Sequence, residues 1–313
     1  MLKQISFCLV FILLFSVFVC AQKKTSPSQP KPVSLQEVTA PQTLDERINA
    51  AIKDFKGKVW IYAKNLDTRE TFSLRGSERV RTASTIKLPV MIEAYFQINE
   101  GKLRWTDEII LTKEKKVGGS GVLGEFSDNT KIDLRTAVNL MIVVSDNTAT
   151  NLVLEKVTSD AVNARMETLG FADTKSIRRI FGSEKDSRVA SDPIIKTFGL
   201  GMSSPKDMVG ILEMLELGQL VNSEASKSML DVLRRQQYKD GIGRNALDTV
   251  PVASKSGTLD RLRADVGIVY TRRGRIAMAI TVDDMQVVHY ATDNPGSLLI
   301  WQLSQILQEG LAK

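Results

Sequence analysis

"DVGIVYTRRGRIAMAITVDD", residues 265–284, reads as two strands joined by a turn around Gly274, and "PGSLLIWQLSQILQEGL", residues 295–311, follows it as a helix. The same parts occur in reverse order near residue 43. "TLDERINAAIKDF", residues 43–55, carries Leu44, Ile48, Ala51, Ile52 and Phe55 at helical spacing, and Thr43 with Glu46 makes a capping-box pair. After Gly57, "KVWIYAKN" and "ETFSLR" read as strands joined through "LDTR" as a hairpin. Helix–hairpin at one end and hairpin–helix at the other predict an α/β (α+β) fold. Its single antiparallel sheet is built from both chain ends, with a largely helical middle, residues 84–235, inserted between them.

Within that middle, "TKIDLRTAVNLMIVV" sets Leu134, Val138, Met141 and Ile142 on one stripe, with Asp133 or Thr130 near its start. This is a buried helix ending at Ser145. A further helix, "TATNLVLEKV", resumes directly after "SDN", which puts Ser145, Asp146 and Asn147 at a helix-to-helix junction.

The 313 residues are 43% apolar and 25% charged, a globular composition. The net charge of +6 is interspersed rather than massed, which argues against nucleic-acid binding. Lys3 precedes an uncharged run from Gln4 to Gln22 with an aliphatic and aromatic centre, and Val19 and Ala21 suit a cut before Gln22. Residues 1–21 therefore read as a signal peptide and the chain as exported, periplasmic or secreted. Lipidation at Cys20 and an uncleaved anchor are the other readings, and only through them would the chain touch a membrane. Residues 22–42 carry prolines 27, 30, 32 and 41 and read as a flexible linker, leaving residues 43–313 as the folded domain.

Both cysteines, Cys8 and Cys20, fall in the leader, so the domain has neither a disulfide nor a cysteine nucleophile. The one histidine, His289, excludes a multi-histidine metal site and reads as structural or exposed. No metal or cofactor is expected. "KVGGSGVLGE", residues 116–125, lacks the Gly-Lys-Ser/Thr ending of a phosphate loop, and Val122 stands where G-x-S-x-G needs its last glycine. It reads as a flexible loop bordering a pocket.

"RTASTIKLPVMIEAYF", residues 81–96, places Ser84 and Lys87 three apart on the first turn of a buried helix. Positions three apart share a helix face, so the amine is expected to hydrogen-bond the hydroxyl directly. Burial disfavours a charged lysine, which can then act as a base without histidine. N–H groups at the helix start can stabilise an oxyanion.

Two more fragments complete a set. "VSDNTATN" supplies Ser145-Asp146-Asn147, and "VASKSGTLD" supplies Lys255-Ser256-Gly257-Thr258 on an expected edge strand. S-x-x-K, S-D-N and K-[ST]-G in this order, 61 and 110 residues apart, resemble the class A β-lactamase and penicillin-recognising serine hydrolase family from Thr43 onward.

The resemblance implies that Ser84 is the acylated nucleophile, Lys87 its activating partner and Ser145 the proton donor to the departing nitrogen. It implies that Asn147 binds the substrate amide, that Lys255 and Ser256 hold its carboxylate, and that the N–H groups of Ser84 and Thr258 form the oxyanion hole. Asp146 is expected to be structural. Arg261 or Arg263 could add to carboxylate attraction, with a solvated arginine as the simpler reading.

One departure stands out. Class A members carry a glutamate in R-x-x-R-W-E-P-x-x-N that activates the deacylating water, whereas this chain has "LGFADTKSIRRIFGSEKDSRVASDP". The Leu-Gly and Thr-Lys landmarks put Ile180 in that place, and Glu184 is the nearest candidate base. The expected activity is opening of a β-lactam amide through a Ser84 acyl-enzyme. The alternatives are a D-Ala-D-Ala carboxypeptidase or small-ester hydrolase, or a penicillin-binding protein that deacylates slowly. The partner is a β-lactam or cell-wall peptide-like small molecule, and the chain is expected to be a monomer.

Overall fold

The strands from the two ends of the domain pair directly. β1 (Lys58–Asn65) runs antiparallel to β10 (Gly274–Asp283), with Lys58 opposite Asp283 and Asn65 opposite Ile276. The computed structural model describes residues 43–244, 246 and 250–311; the expected signal peptide and linker lie outside the described residues. With β2 (Thr71–Leu74), β8 (Val252–Leu259) and β9 (Leu262–Thr271), these strands form one antiparallel sheet in the order β2-β1-β10-β9-β8. The predicted hairpins and the edge position of Lys255 are therefore present.

Pleating explains why the sheet is apolar on both sides. Along β10, Ile276, Met278, Ile280 and Val282 pack on the cluster formed with α1 (Leu44–Ile52) and α8 (Pro295–Leu311), whereas Ala277 and Ala279 face the helical cluster. Ile280→Ala would remove a fully buried side chain at a cost of about 2–5 kcal/mol. The expected capping box starts α1: Thr43 Oγ1 accepts from Glu46 N at 3.2 Å, and Thr43 N donates to Glu46 Oε2 at 2.8 Å. The helix stops at Ile52, so Phe55, expected on its stripe, packs from the following turn instead.

β3 (Val80–Arg81) leads into the inserted middle, which contains α2 (Lys87–Asn99), β4 (Glu108–Leu111), β5 (Thr130–Asp133), α3 (Leu134–Val143), α4 (Asn147–Val157) and α5 (Ser159–Thr168). β6 (Lys175–Ser176), β7 (Gly201–Ser203), α6 (Pro205–Glu216) and α7 (Ser223–Arg234) complete it. α2 is buried nearly all round, through Leu88, Val90, Met91, Ile92 and Ala94. Pro89 is tolerated because it lies in the first turn, where N–H groups have no helical acceptor. The predicted stripe of α3 is buried at all four positions, and Asp133 caps it by accepting from Thr136 N at 2.7 Å.

Candidate active site

Ser84 stands on a single 3₁₀ turn, Ala83–Ile86, that leads into α2. Ala83, just before it, has φ +47°, and Ser145 has φ +53°. Left-handed backbone at a non-glycine residue costs roughly 1–3 kcal/mol and persists only where neighbours enforce it. At Ser84 the neighbour is β8: a Cβ built on Gly257 would lie 2.7 Å from Thr82 O and 3.2 Å from Ser84 N. Only glycine lets the edge strand come this close, which brings the exposed Thr258 and the half-buried Ser256 beside the Ser84 turn. Ser256 Oγ makes no hydrogen bond among the described residues, and an edge strand leaves N–H groups free for a ligand.

Lys87 is 1% exposed and Lys255 is 0% exposed. Lys87 Nζ donates to Ser145 O at 2.6 Å, Ser145 Oγ at 3.2 Å and Asn147 Oδ1 at 3.0 Å. Lys255 Nζ donates to Ser145 Oγ at 3.0 Å and Ser256 O at 2.8 Å. Two donors occupy both lone pairs of the Ser145 hydroxyl, so its proton is the bonding capacity left for a third group. The expected direct bond from Lys87 to Ser84 is absent among the described residues, because the amine's donors are spent on the S-D-N junction. Such bonds often tighten only when substrate arrives.

Burial pushes Lys87 well below the usual lysine range, the positive charge of Lys255 pushes it further, and the Asp146 carboxylate opposes both. Burial also lowers Lys255, to about 7, with the Asp265 carboxylate opposing. Lowered in this way, Lys87 is a candidate base one hydrogen bond from the Ser145 hydroxyl.

Asp146 is structural, as expected, and it explains the glycines of "KVGGSGVLGE". Its Oδ1 caps α4 through Ala149 N at 2.8 Å, and its Oδ2 accepts from Val122 N and Leu123 N, both at 2.7 Å. A Cβ on Gly121, which has φ +102°, would fall 2.2 Å from Asp146 Oδ2. The loop was expected to be flexible; instead it is pinned, since Asn147 Nδ2 also donates to Gly118 O and Asn147 N to Ser120 O. Asn147 thus holds both its lysine partner and the loop.

The structure does not bring Glu184 to this cluster. Its side chain is 66% exposed, pairs with Lys196 at 3.8 Å, and has no hydrogen bond to Ser84, Lys87, Ser145 or Asn147. Ile180 is buried instead, and Asn151, a residue missed in the sequence, clamps its backbone from both sides: Ile180 N donates to Asn151 Oδ1 at 2.9 Å and Asn151 Nδ2 to Ile180 O at 3.1 Å. Asn151 lies four residues after Asn147 on α4, the helical spacing that could have revealed it. Arg179 bonds Asp186 at 3.0 Å and closes the base of the same loop.

His289 pairs with Asp293 at 2.8 Å and takes no part in the site. Arg261 is exposed, but Arg263 is buried rather than solvated: its guanidinium donates to the carbonyls of Leu259 and Leu262 at 2.7 Å each and to that of His289. Those carbonyls hold the β8–β9 turn, so Arg263 is spent on structure.

Residues 43–311 match the model of the beta-lactamase enzyme family. The chain belongs to that family. Beta-lactamase 3 of Bacillus cereus is 23% identical over 224 residues, covering 70% of this chain and 66%, just under two thirds, of that protein. A beta-lactamase from Sphaerobacter thermophilus superposes with a TM-score of 0.74 at 28% identity, covering 86% of this chain and 95% of that one. PBP-A is similar in fold, with a TM-score of 0.73 at 22% identity over 85% of this chain and 94% of its own. The fold is thus shared both with β-lactamases and with PBP-A.

Proposed function

We propose that the chain opens the amide of a β-lactam, or the equivalent bond of an acyl-peptide, through an ester on Ser84, and that it releases that ester slowly. The convergence of Lys87 and Lys255 on Ser145 Oγ carries this reading. Ser84 Oγ attacks the carbonyl and its proton passes to neutral Lys87. The tetrahedral oxyanion lies against the N–H groups of Ser84 and Thr258, where one comparable donor contributes roughly 3–4 kcal/mol. The C–N bond then breaks, Ser145 gives its proton to the departing nitrogen, and protonated Lys87 returns a proton to Ser145. Lys255 and Ser256 hold the substrate carboxylate.

Release needs a water activated by a base. Ile180 replaces the glutamate of class A members and Glu184 is turned to solvent with Lys196, which supports a long-lived acyl-enzyme rather than rapid turnover. A rapid-quench time course with benzylpenicillin tests this reading. It should show a burst of ring-opened product equal to enzyme and then a slow steady state. Linear product release from the first turnover would favour an efficient β-lactamase, and no product would reject the reading.

A further inference from the structure

We propose that Tyr238 is a specificity-determining residue: its ring is the wall against which the departing group of the substrate lies, and it favours donors whose departing group is flat and aromatic. The proposal rests on the Ser84 acylation reading. The segment after α7 is tied to the end of α3, just ahead of Ser145. Gln237 N donates to Val143 O at 3.0 Å, and Tyr238 N donates to Oε1 of the buried Gln236 at 3.3 Å. Tyr238 Oη lies 3.5 Å from Ser120 Oγ, which itself donates to Val144 O at 3.2 Å. Ser120 O accepts from Asn147 N at 2.9 Å, so the phenol ends against the loop that is pinned to the S-D-N junction. On the other side Gln236 and Ser254 line one cavity, and Ser254 is the residue before Lys255 on β8. Tyr238 thus stands between the edge strand and the 118–121 loop, at the approach to Ser145.

Ser145 hands its proton to the departing atom, so the departing group has to pass beside Ser145, on the side where Lys255 and Ser256 hold the carboxylate. Residues 118–121 of the loop, Gly-Gly-Ser-Gly, bring almost no side-chain bulk to that side. Tyr238 brings an aromatic ring from a different element. It is 41% exposed, and its ring has no aromatic or cationic partner among the described residues. A ring held by two side-chain torsions supplies contact area at low entropic cost, and a flat ligand can stack on it in an offset geometry. The 3.5 Å separation from Ser120 Oγ is at the outer limit of a hydrogen bond, and the Ser120 proton is already given to Val144 O. The phenol therefore keeps its bonding capacity for a ligand.

The test uses two ester donors that share a phenylacetylglycyl group and differ in what departs, 3-hydroxybenzoate through its phenol oxygen or D-lactate. With either donor the bond from Ser84 Oγ to the acyl carbon forms, the bond to the departing oxygen breaks, and Ser145 protonates that oxygen, so the acyl-enzyme is the same. Tyr238→Ala should lower kcat/KM about tenfold for the aromatic donor and less than about twofold for the lactate donor. Decay of the common acyl-enzyme should not change, because the departing group has left, and Tyr238→Phe should keep the preference. Equal loss with both donors, or an unchanged ratio between them, would overturn the proposal. Titrating 3-hydroxybenzoate alone into Ser84→Ala protein with isotope-labelled tyrosine rings reads the contact by NMR without chemistry. The Tyr238 signal, identified by its loss in Tyr238→Phe, should shift, and an unshifted signal overturns the proposal even if no donor is ever hydrolysed. A shifted signal together with a wild type that is never acylated rejects the Ser84 reading alone.

Discussion

Lys87 and Lys255 reach one oxygen, Ser145 Oγ, at 3.2 and 3.0 Å, one from the central helix and the other from the edge strand. Two buried cations around one hydroxyl repel each other, and the surroundings decide which of them gives up its proton. Both burial and the charge of Lys255 push Lys87 down, so we assign Lys87 as the base and Lys255 as the cation.

The rate of acylation should therefore be bell-shaped in pH. It rises as Lys87, held well below the usual lysine range, loses its proton, and falls as pH passes through the Lys255 value of about 7. Second-order acylation rates from pH 4 to 10 check this. A single rising limb extending to pH 10 contradicts the assignment of Lys255.

Lys87→Met should reduce acylation by about 10²–10⁴-fold, the usual range for a positioned base. It should leave the fold in place, because methionine fills the buried volume without a charge to desolvate. Stopped-flow acylation together with a circular-dichroism melt separates lost chemistry from lost fold.

Gly257→Ala should push β8 away from the Ser84 turn, since the new methyl would lie 2.7 Å from Thr82 O. Both oxyanion donors then move apart. A fall in acylation of about 10²-fold or more is expected while the Lys255–Ser145 contact survives, and unchanged kinetics would show that the close approach has no catalytic consequence.

Ile180→Glu should shorten the life of the acyl-enzyme by at least about tenfold, because Asn151 already fixes the Ile180 backbone and the substitution adds only the missing base. Glu184→Gln should change nothing, as that side chain pairs with Lys196 in solvent. The decay of the adduct followed by mass spectrometry compares the two.

Asp146→Ala removes the acceptor for two buried N–H groups, those of Leu123 and Ala149, and for the part-buried N–H of Val122. Each orphaned donor costs about 1–3 kcal/mol before relaxation. Urea unfolding should show a loss of about 3 kcal/mol or more, with faster proteolysis near residues 117–125.

What was legible in the sequence follows from which signals are local. The hairpins and α8 are marked by their own periodicity, and Ser84, Lys87, Ser145 and Lys255 by short fragments in a fixed order. Contacts that join distant segments left no such mark. Nothing near Ile180 pointed to Asn151. Gly121 looked like flexibility because the Asp146 carboxylate that requires it lies 25 residues away in sequence. Glu184 was nominated by proximity in sequence alone, and the Arg179–Asp186 pair at the loop base leaves it outside.

The most direct measurement is the intact mass of the wild-type protein and of Ser84→Ala after mixing with benzylpenicillin, followed by peptide mapping. Wild type should gain one penicilloyl group on the peptide carrying Ser84 and keep it for many turnovers' worth of time, and Ser84→Ala should gain none. An unmodified wild type, or an adduct that forms equally in Ser84→Ala, would contradict the account.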